Sequence, residues 1–246
     1  MKKGAEIRSN SPAVQVLPGW VGVAFLVALT CAIPASGQGK ENAELQRVLN
    51  RMDQIAKTFR TFTAKFSQKK YTAVLKEFDS PESGEFYYAR TLEGSVLMRH
   101  EVISPARRIL TIKGESLTVF RPAIKEAQIA NREKMQDIVE YLGVGIGQNS
   151  TKLREKFKIS YQGSEQIDKT ACSVLLFVPK DSKTAARVES ITIWLSDSTG
   201  TPVQYRFQEP SKDFLQLNFF DEKLNVKIPD SKFEQKLPAG IEIQKL

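Results

Sequence analysis

The sequence predicts an α+β protein in which an antiparallel sheet of about ten or eleven strands carries two or three helices on one side. Three observations predict it. From Gly84 to Phe120, four short apolar runs with turn residues between them follow one another, and two of them alternate strictly: Phe86, Tyr88 and Arg90 against Glu85, Tyr87 and Ala89, then Val96, Met98 and His100 against Leu97, Arg99 and Glu101. Five more such runs occupy the last third of the chain. Only two stretches change to a helical period. The central meander carries apolar side chains on both faces, so each face needs a cover, or a ligand that does part of the covering.

In chain order, Glu41 to Phe59 reads as an amphipathic helix. Leu45, Val48, Leu49, Met52, Ile55, Ala56 and Phe59 recur at three- and four-residue spacing, while Arg47, Arg51, Asp53 and Lys57 take the other side. From Thr61 to Ala73 the period drops to two, with Phe62, Ala64 and Phe66 on one face, and Asp79 to Gly84 makes a turn. Pro122 closes the meander. From Ala127 to about Leu142 the period is helical again, with Met135, Ile138, Val139 and Leu142 as its stripe. Gly143, Gly145 and Gly147 then alternate with Val144 and Ile146. That spacing does not fit a phosphate-binding glycine loop and reads as a helix stop followed by a mobile hinge. Strands follow at 157–162, 172–178, 190–195, 203–208 and 214–220, with Asp197-Ser198-Thr199-Gly200 as a hairpin turn and a short closing strand near Ile241 to Ile243.

The first 37 residues differ from the rest. Lys2, Lys3 and Arg8 precede an apolar run from Val21 to Leu29, and small residues lead up to Gln38. This is the layout of a secretory signal peptide cleaved near Gly37, with an uncleaved anchor as the other reading; residues 38–246 then form one domain. Cys31 lacks the small preceding residue of a lipoprotein signal, so Cys172 is the one cysteine of the exported chain and no intramolecular disulfide forms. The net charge of +8 includes +2 from the leader, leaving about +6 spread among acidic residues. That distribution argues against nucleic acid and for an acidic partner or anionic lipid head groups.

His100 is the single histidine. A two-histidine zinc site is therefore excluded, and no Gly-x-Ser-x-Gly, P-loop or paired cysteines occur. The sequence reads as a binding protein rather than an enzyme, with no metal and no cofactor.

From about Glu41 to the C-terminus the chain resembles the periplasmic outer-membrane lipoprotein carrier family, LolA-type. The resemblance rests on Phe62-Thr-Ala-Lys-Phe66-Ser-Gln68 after the first helix, then Gly84-Glu-Phe-Tyr-Tyr-Ala-Arg90, Ser104-Pro105, Ile109 to Phe120, Asp197 to Gly200, and Phe233-x-x-x-Leu237-Pro238-Ala-Gly240. These stand in the family's order, although Thr91 replaces the proline that usually follows the arginine. The resemblance implies a strongly curved half-barrel sheet, a helical lid over its concave apolar face, and a cavity that takes the acyl chains of lipoproteins between the inner and outer membranes. Its lining by parity is Phe62, Phe66, Phe86, Tyr88, Val96, Met98, Leu110 and Val119. The lid is Met135, Ile138, Val139 and Leu142, hinged at Gly143, Gly145 and Gly147. Arg90 is either the latch that holds the lid or an arginine shielding the rim. The implied partners are acylated lipoprotein cargo, an inner-membrane lipoprotein-releasing transporter and an outer-membrane receptor, and the protein is a monomer. A carrier of another lipid or glycolipid, or a lipid-sensing regulator of the same fold, remains open.

Overall fold

A computed structural model describes residues 36–131 and 143–245. The leader and the four lid residues Met135, Ile138, Val139 and Leu142 lie outside the described residues. The elements in order are α1 (Ser36–Thr58), β1 (Thr61–Thr72), β2 (Glu77–Phe78), β3 (Glu82–Arg90), β4 (Val96–Ser104), β5 (Arg108–Lys113), β6 (Ser116–Arg121) and β7 (Glu126–Asn131). Then come α2 (Ser150–Lys156), β8 (Phe157–Ile167), β9 (Thr170–Pro179), α3 (Ser182–Ala185), β10 (Ser190–Ser196), β11 (Pro202–Gln208), β12 (Phe214–Leu224) and β13 (Glu242–Lys245).

The strands form one open, curved sheet in the order β13-β7-β6-β5-β4-β3-β1-β12-β11-β10-β9-β8, with the two-residue β2 paired to the end of β1. It has 13 strands among the described residues, more than the ten or eleven expected. Two differences account for this. Residues 127–131, expected to begin a helix, form β7 instead, and β2 is too short to read from sequence. β13 also departs from the antiparallel rule, because it runs parallel to β7.

The inner face of the sheet holds the main core. The apolar stripe of α1 (Val48, Leu49, Met52) packs with Phe62 and Phe66 of β1, Phe86 and Tyr88 of β3, Ile191 and Ile193 of β10, and Tyr205 of β11. Alternation explains the match: along β1 the even-numbered residues from Phe62 to Gln68 are buried while Lys65 faces water.

The outer face is covered by the chain's own C-terminal arm. Phe233 is buried, and Leu237 and Ile241 pack over Ile109, Phe120 and Ala127. Lys113 and Lys232 tether the arm through Glu234 (3.1 Å) and the Tyr87 hydroxyl (2.9 Å). Nearby, Arg99 and Arg107 donate to the buried Glu101 carboxylate at 2.7 and 2.5 Å. Burial alone would push that carboxyl up; the two guanidinium hydrogen bonds outweigh it and hold it below its usual range. On the other half of the outer face Cys172, Val174, Trp194 and Val203 form a separate small cluster, and burial pushes the Cys172 thiol up to about 11. Such a thiol is inert.

Candidate functional site

All eight residues expected to line a cavity lie on the inner face. Register aligns Phe62 with Tyr88, Tyr88 with Met98, and Leu110 with Val119. Phe62, Phe66, Phe86, Tyr88 and Met98 are fully buried in the main core, and Val96, Leu110 and Val119 pack against it half-buried. Much of this face is filled by the protein's own rings: Phe219 sits 5.4 Å from Phe62 and 5.2 Å from Phe86, centroid to centroid. Open volume lies at the Arg90 end, where a cleft of about 920 Å³ runs between α1, the start of β4 and α2. Tyr88 and Val96 belong to its walls, together with Val144, Leu153 and Phe157. Its rim is polar and carries both signs of charge, with Asn50, Asp53, Lys57, Arg90, Asn149, Lys152 and Glu155.

Two joints shape the cleft. α1 is fixed to the β10–β11 hairpin by Arg51, which donates to the carbonyls of Asp197 and Ser198. The hairpin approaches so closely that a Cβ on Gly200 would stand 2.3 Å from Ile55 Cδ1. α2 is fixed to α1 by Asp53, whose carboxylate accepts from the Ser150 amide at 2.5 Å and from its hydroxyl at 2.7 Å. Asn149 caps the same helix through the Lys152 amide at 2.9 Å.

The run 143–147 is buried throughout. Val144 and Ile146 point into the core, and the buried Tyr205 hydroxyl donates to the Val144 carbonyl at 2.8 Å. Glycine is required where the strap presses on aromatic rings. At Gly147 (φ 59°) a Cβ would meet the Phe59 ring at 2.2 Å, and at Gly143 one would stand 3.0 Å from Tyr88 Cε2. The segment expected to be a mobile hinge is thus a packed strap from Gly143 to Gly147.

Arg90 shares the inner face with Phe86 and Tyr88. Its guanidinium lies 5.7 Å from the Phe59 ring centroid and makes no side-chain hydrogen bond or ion pair with the described residues. The lid residues it was expected to latch lie outside them.

At the opposite end of the inner face, His100 stacks on Phe66 with centroids 4.2 Å apart and hydrogen-bonds Gln68 Oε1 at 3.1 Å. Gln68 in turn donates to Glu82 at 2.6 Å, and Glu82 pairs with Arg108 at 2.7 Å. Burial, then the Arg108 charge, lowers the His100 pKa to about 4. A neutral imidazole inside a satisfied polar chain, facing no nucleophile, is a lining residue.

Asp53, Ser150 and Tyr205 were not singled out by the sequence. The Asp53–Ser150 joint spans 97 positions, so no local pattern announces it. The strap did carry a signal: glycine at every second position with apolar residues between puts all side chains on one side, as a ribbon lying on an aromatic floor would need.

No curated protein matches the chain in sequence. Among solved structures, an uncharacterized conserved protein from Thermus thermophilus superposes with a TM-score of 0.52 at 9% identity, covering 82% of this chain and 99% of that one. MucB superposes at 0.50 with 14% identity over 82% of this chain and 66% of its own, so about a third of MucB has no counterpart here. LprF from Mycobacterium bovis gives 0.45 at 12% identity, with 76% and 96% covered. At these identities the likeness to the first two is one of fold alone. The family pattern described as "Outer membrane lipoprotein carrier protein LolA" matches residues 57–236, most of the chain from the end of α1 to the C-terminal arm, and by that match the chain belongs to the LolA family of carrier proteins.

Proposed function

We propose that this protein is a periplasmic carrier that holds the acyl chains of lipoproteins against the inner face of its sheet. It takes them from an inner-membrane lipoprotein-releasing transporter and passes them to an outer-membrane receptor, working as a monomer. The observation that carries the reading is the cleft of about 920 Å³, whose apolar walls at Tyr88, Val96, Val144, Leu153 and Phe157 continue into the main core. Its volume suits one ligand of ordinary size, and each acyl methylene taken out of water contributes ~0.8 kcal/mol, so affinity needs no chemistry. Deeper entry requires the rings around Phe62, Phe86 and Phe219 to move apart. The leader is removed near Gly37, within the first turn of α1, leaving 38–246 as a single carrier domain.

Arg90 is the release element in this reading. With the cleft empty its guanidinium is available to the lid expected at Met135, Ile138, Val139 and Leu142. Entry of acyl chains and closure of the Arg90 contact compete, so closing the latch helps to expel cargo.

The test is native mass spectrometry of protein purified from the periplasm without detergent, followed by organic extraction. Lipoprotein or its acyl chains are expected, and Arg90→Leu is expected to retain severalfold more cargo than wild type. Phospholipid or glycolipid alone would identify a general lipid carrier, and an empty protein after exposure to lipoprotein would refute the carrier reading.

A further inference from the structure

Strand register gathers exposed apolar side chains at one end of the sheet, remote from the cleft. The pairings Gln68↔Glu82, Ser83↔Ser104, Val102↔Arg108 and Arg121↔Glu126 set the turns after β1, β4 and β6 side by side. On the first and third of these turns Val74 is 86% exposed, Leu75 62% and Ile124 63%; Ile103 at the end of β4 is 53% exposed and Phe78 in β2 42%. The cleft, Arg90 and the exposed Leu92 belong to the other end of the same strands.

These tips are held in place. The amides of Leu75 and Lys76 both donate to the Thr72 carbonyl, at 3.2 and 2.8 Å, and the Ala73 amide donates to Asp213 at 2.8 Å. Beneath them Tyr71 stacks on Phe214 with centroids 4.8 Å apart, and Phe78 packs edge-on against both. The third turn is closed by the Lys125 amide on the Pro122 carbonyl at 3.2 Å. A well-ordered turn that keeps two adjacent aliphatic side chains in water sacrifices their burial, which a free surface gives no reason to do.

Cations stand between the tips. Lys69 lies 4.0 Å over the Phe78 ring, and Lys76 and Lys125 form no ion pair with the described residues. Arg107, Arg108 and Arg121 share this end, neutralised by Glu101, Glu82 and Glu126. Glu77 and Asp79 are the acidic residues exposed beside the first turn. The chain as a whole carries +8.

We propose that this end of the sheet docks on a bilayer containing anionic phospholipid, with Val74, Leu75 and Ile124 entering the head-group layer and Lys69, Lys76 and Lys125 meeting the phosphates. The arrangement fits a membrane better than a protein partner. A protein interface needs a continuous patch, whereas these tips sit on separate turns spread over roughly 20–25 Å, at about 4.8 Å per strand from β1 to β7. Each tip can enter a fluid layer independently, and aliphatic tips with interleaved lysines suit the interface between acyl chains and phosphates. The inference goes beyond the carrier reading and does not depend on what the cleft holds.

Flotation of the exported protein with vesicles of phosphatidylcholine, with and without phosphatidylglycerol, tests it. Every arm compares variants that share one N-terminus, so lipid binding by a retained leader cancels. Wild type is expected to float with the phosphatidylglycerol vesicles and much less with phosphatidylcholine alone. Lys76→Gln and Lys125→Gln should each lower the partition roughly fivefold, the weight of one basic residue near an anionic surface. The double variant Val74→Asp/Leu75→Asp should lower it roughly tenfold or more. Leu92→Asp, at the other end, should change nothing. The tip positions are exposed enough to accept these changes without loss of fold, and cargo retention by the cleft should be unaltered in all of them. No flotation, flotation indifferent to phosphatidylglycerol, or equal loss with Leu92→Asp would overturn the proposal.

Discussion

His100 makes the stability of this protein depend on pH in a window that can be worked out from its surroundings. Gln68 uses its amide nitrogen on Glu82, which leaves Oε1 for the imidazole, so His100 Nε2 is the donor, and burial keeps the ring neutral at pH 7. Protonation would place a charge between the Phe66 ring and the Arg108 guanidinium, with Glu82 already engaged. The folded pKa is about 4, against an ordinary value of 6.5. Because the folded value is depressed, the unfolded chain binds the proton more readily. The contribution is fully present above pH 6.5 and is lost progressively as the pH falls toward 4. At about pH 4.5 the wild-type protein should have lost roughly 2–3 kcal/mol through this residue alone. The variant His100→Gln keeps a donor for Gln68 and cannot titrate. Urea unfolding of both proteins at about pH 7 and about pH 4.5 isolates the histidine, because shared carboxylates such as Glu101 cancel in the difference. The wild type should fall relative to the variant on acidification. A constant gap between the two, or a wild type that gains on the variant, would refute the assignment of a neutral imidazole held away from water.

Tyr205→Phe removes the donor from the buried Val144 carbonyl, which should cost about 1–2 kcal/mol and raise hydrogen exchange along 143–147 without affecting the distant arm. Phe233→Ala empties the deepest anchor of the C-terminal arm, so a loss of about 3–5 kcal/mol is expected, with new proteolytic cleavage between residues 226 and 241. Unchanged exchange in the first case, or unchanged proteolysis in the second, would show that strap or arm is held by something else.

The sequence was readable where a period persisted. Seven hydrophobic positions at helical spacing from Leu45 to Phe59, and alternation from Thr61 to Gln68 in β1, leave no other solution, and the structure has both elements almost where expected. The helical reading from Ala127 rests on the stripe Met135, Ile138, Val139 and Leu142 carried back too far, because β7 has no long alternation of its own. In the structure Ala127 and Ala130 are both buried: Ala127 faces Ile109 and Phe120 on the outer side and Ala130 faces Leu117 on the inner side, where small residues suit close cover on both faces. The parallel pairing of β13 depends on where the C-terminal arm crosses the sheet, which no neighbouring residue encodes. At the candidate site, parity placed Tyr88, Arg90 and Val96 on the correct face. The cleft itself depends on α2 and on the Asp53–Ser150 bond, and neither has a local signature. The glycine run was noticed as unusual but taken for freedom, when its purpose at Gly145 and Gly147 is close contact.

The joint between β1 and β12 governs when this chain can fold. The first strand pairs near the middle of the sheet with a strand that follows it by about 150 residues, as in Phe66↔Phe219. Neither half of the sheet can be joined to the other until residue 224 has emerged. The loop that closes then is long, so its contact order slows the final step. Hairpins within β3–β7 and within β8–β12 join strands close in sequence and can form early, but the two halves remain separate pieces until β12 is free to pair with β1. The topology that builds the curved sheet thus reserves the pairing at its middle for the last step of folding.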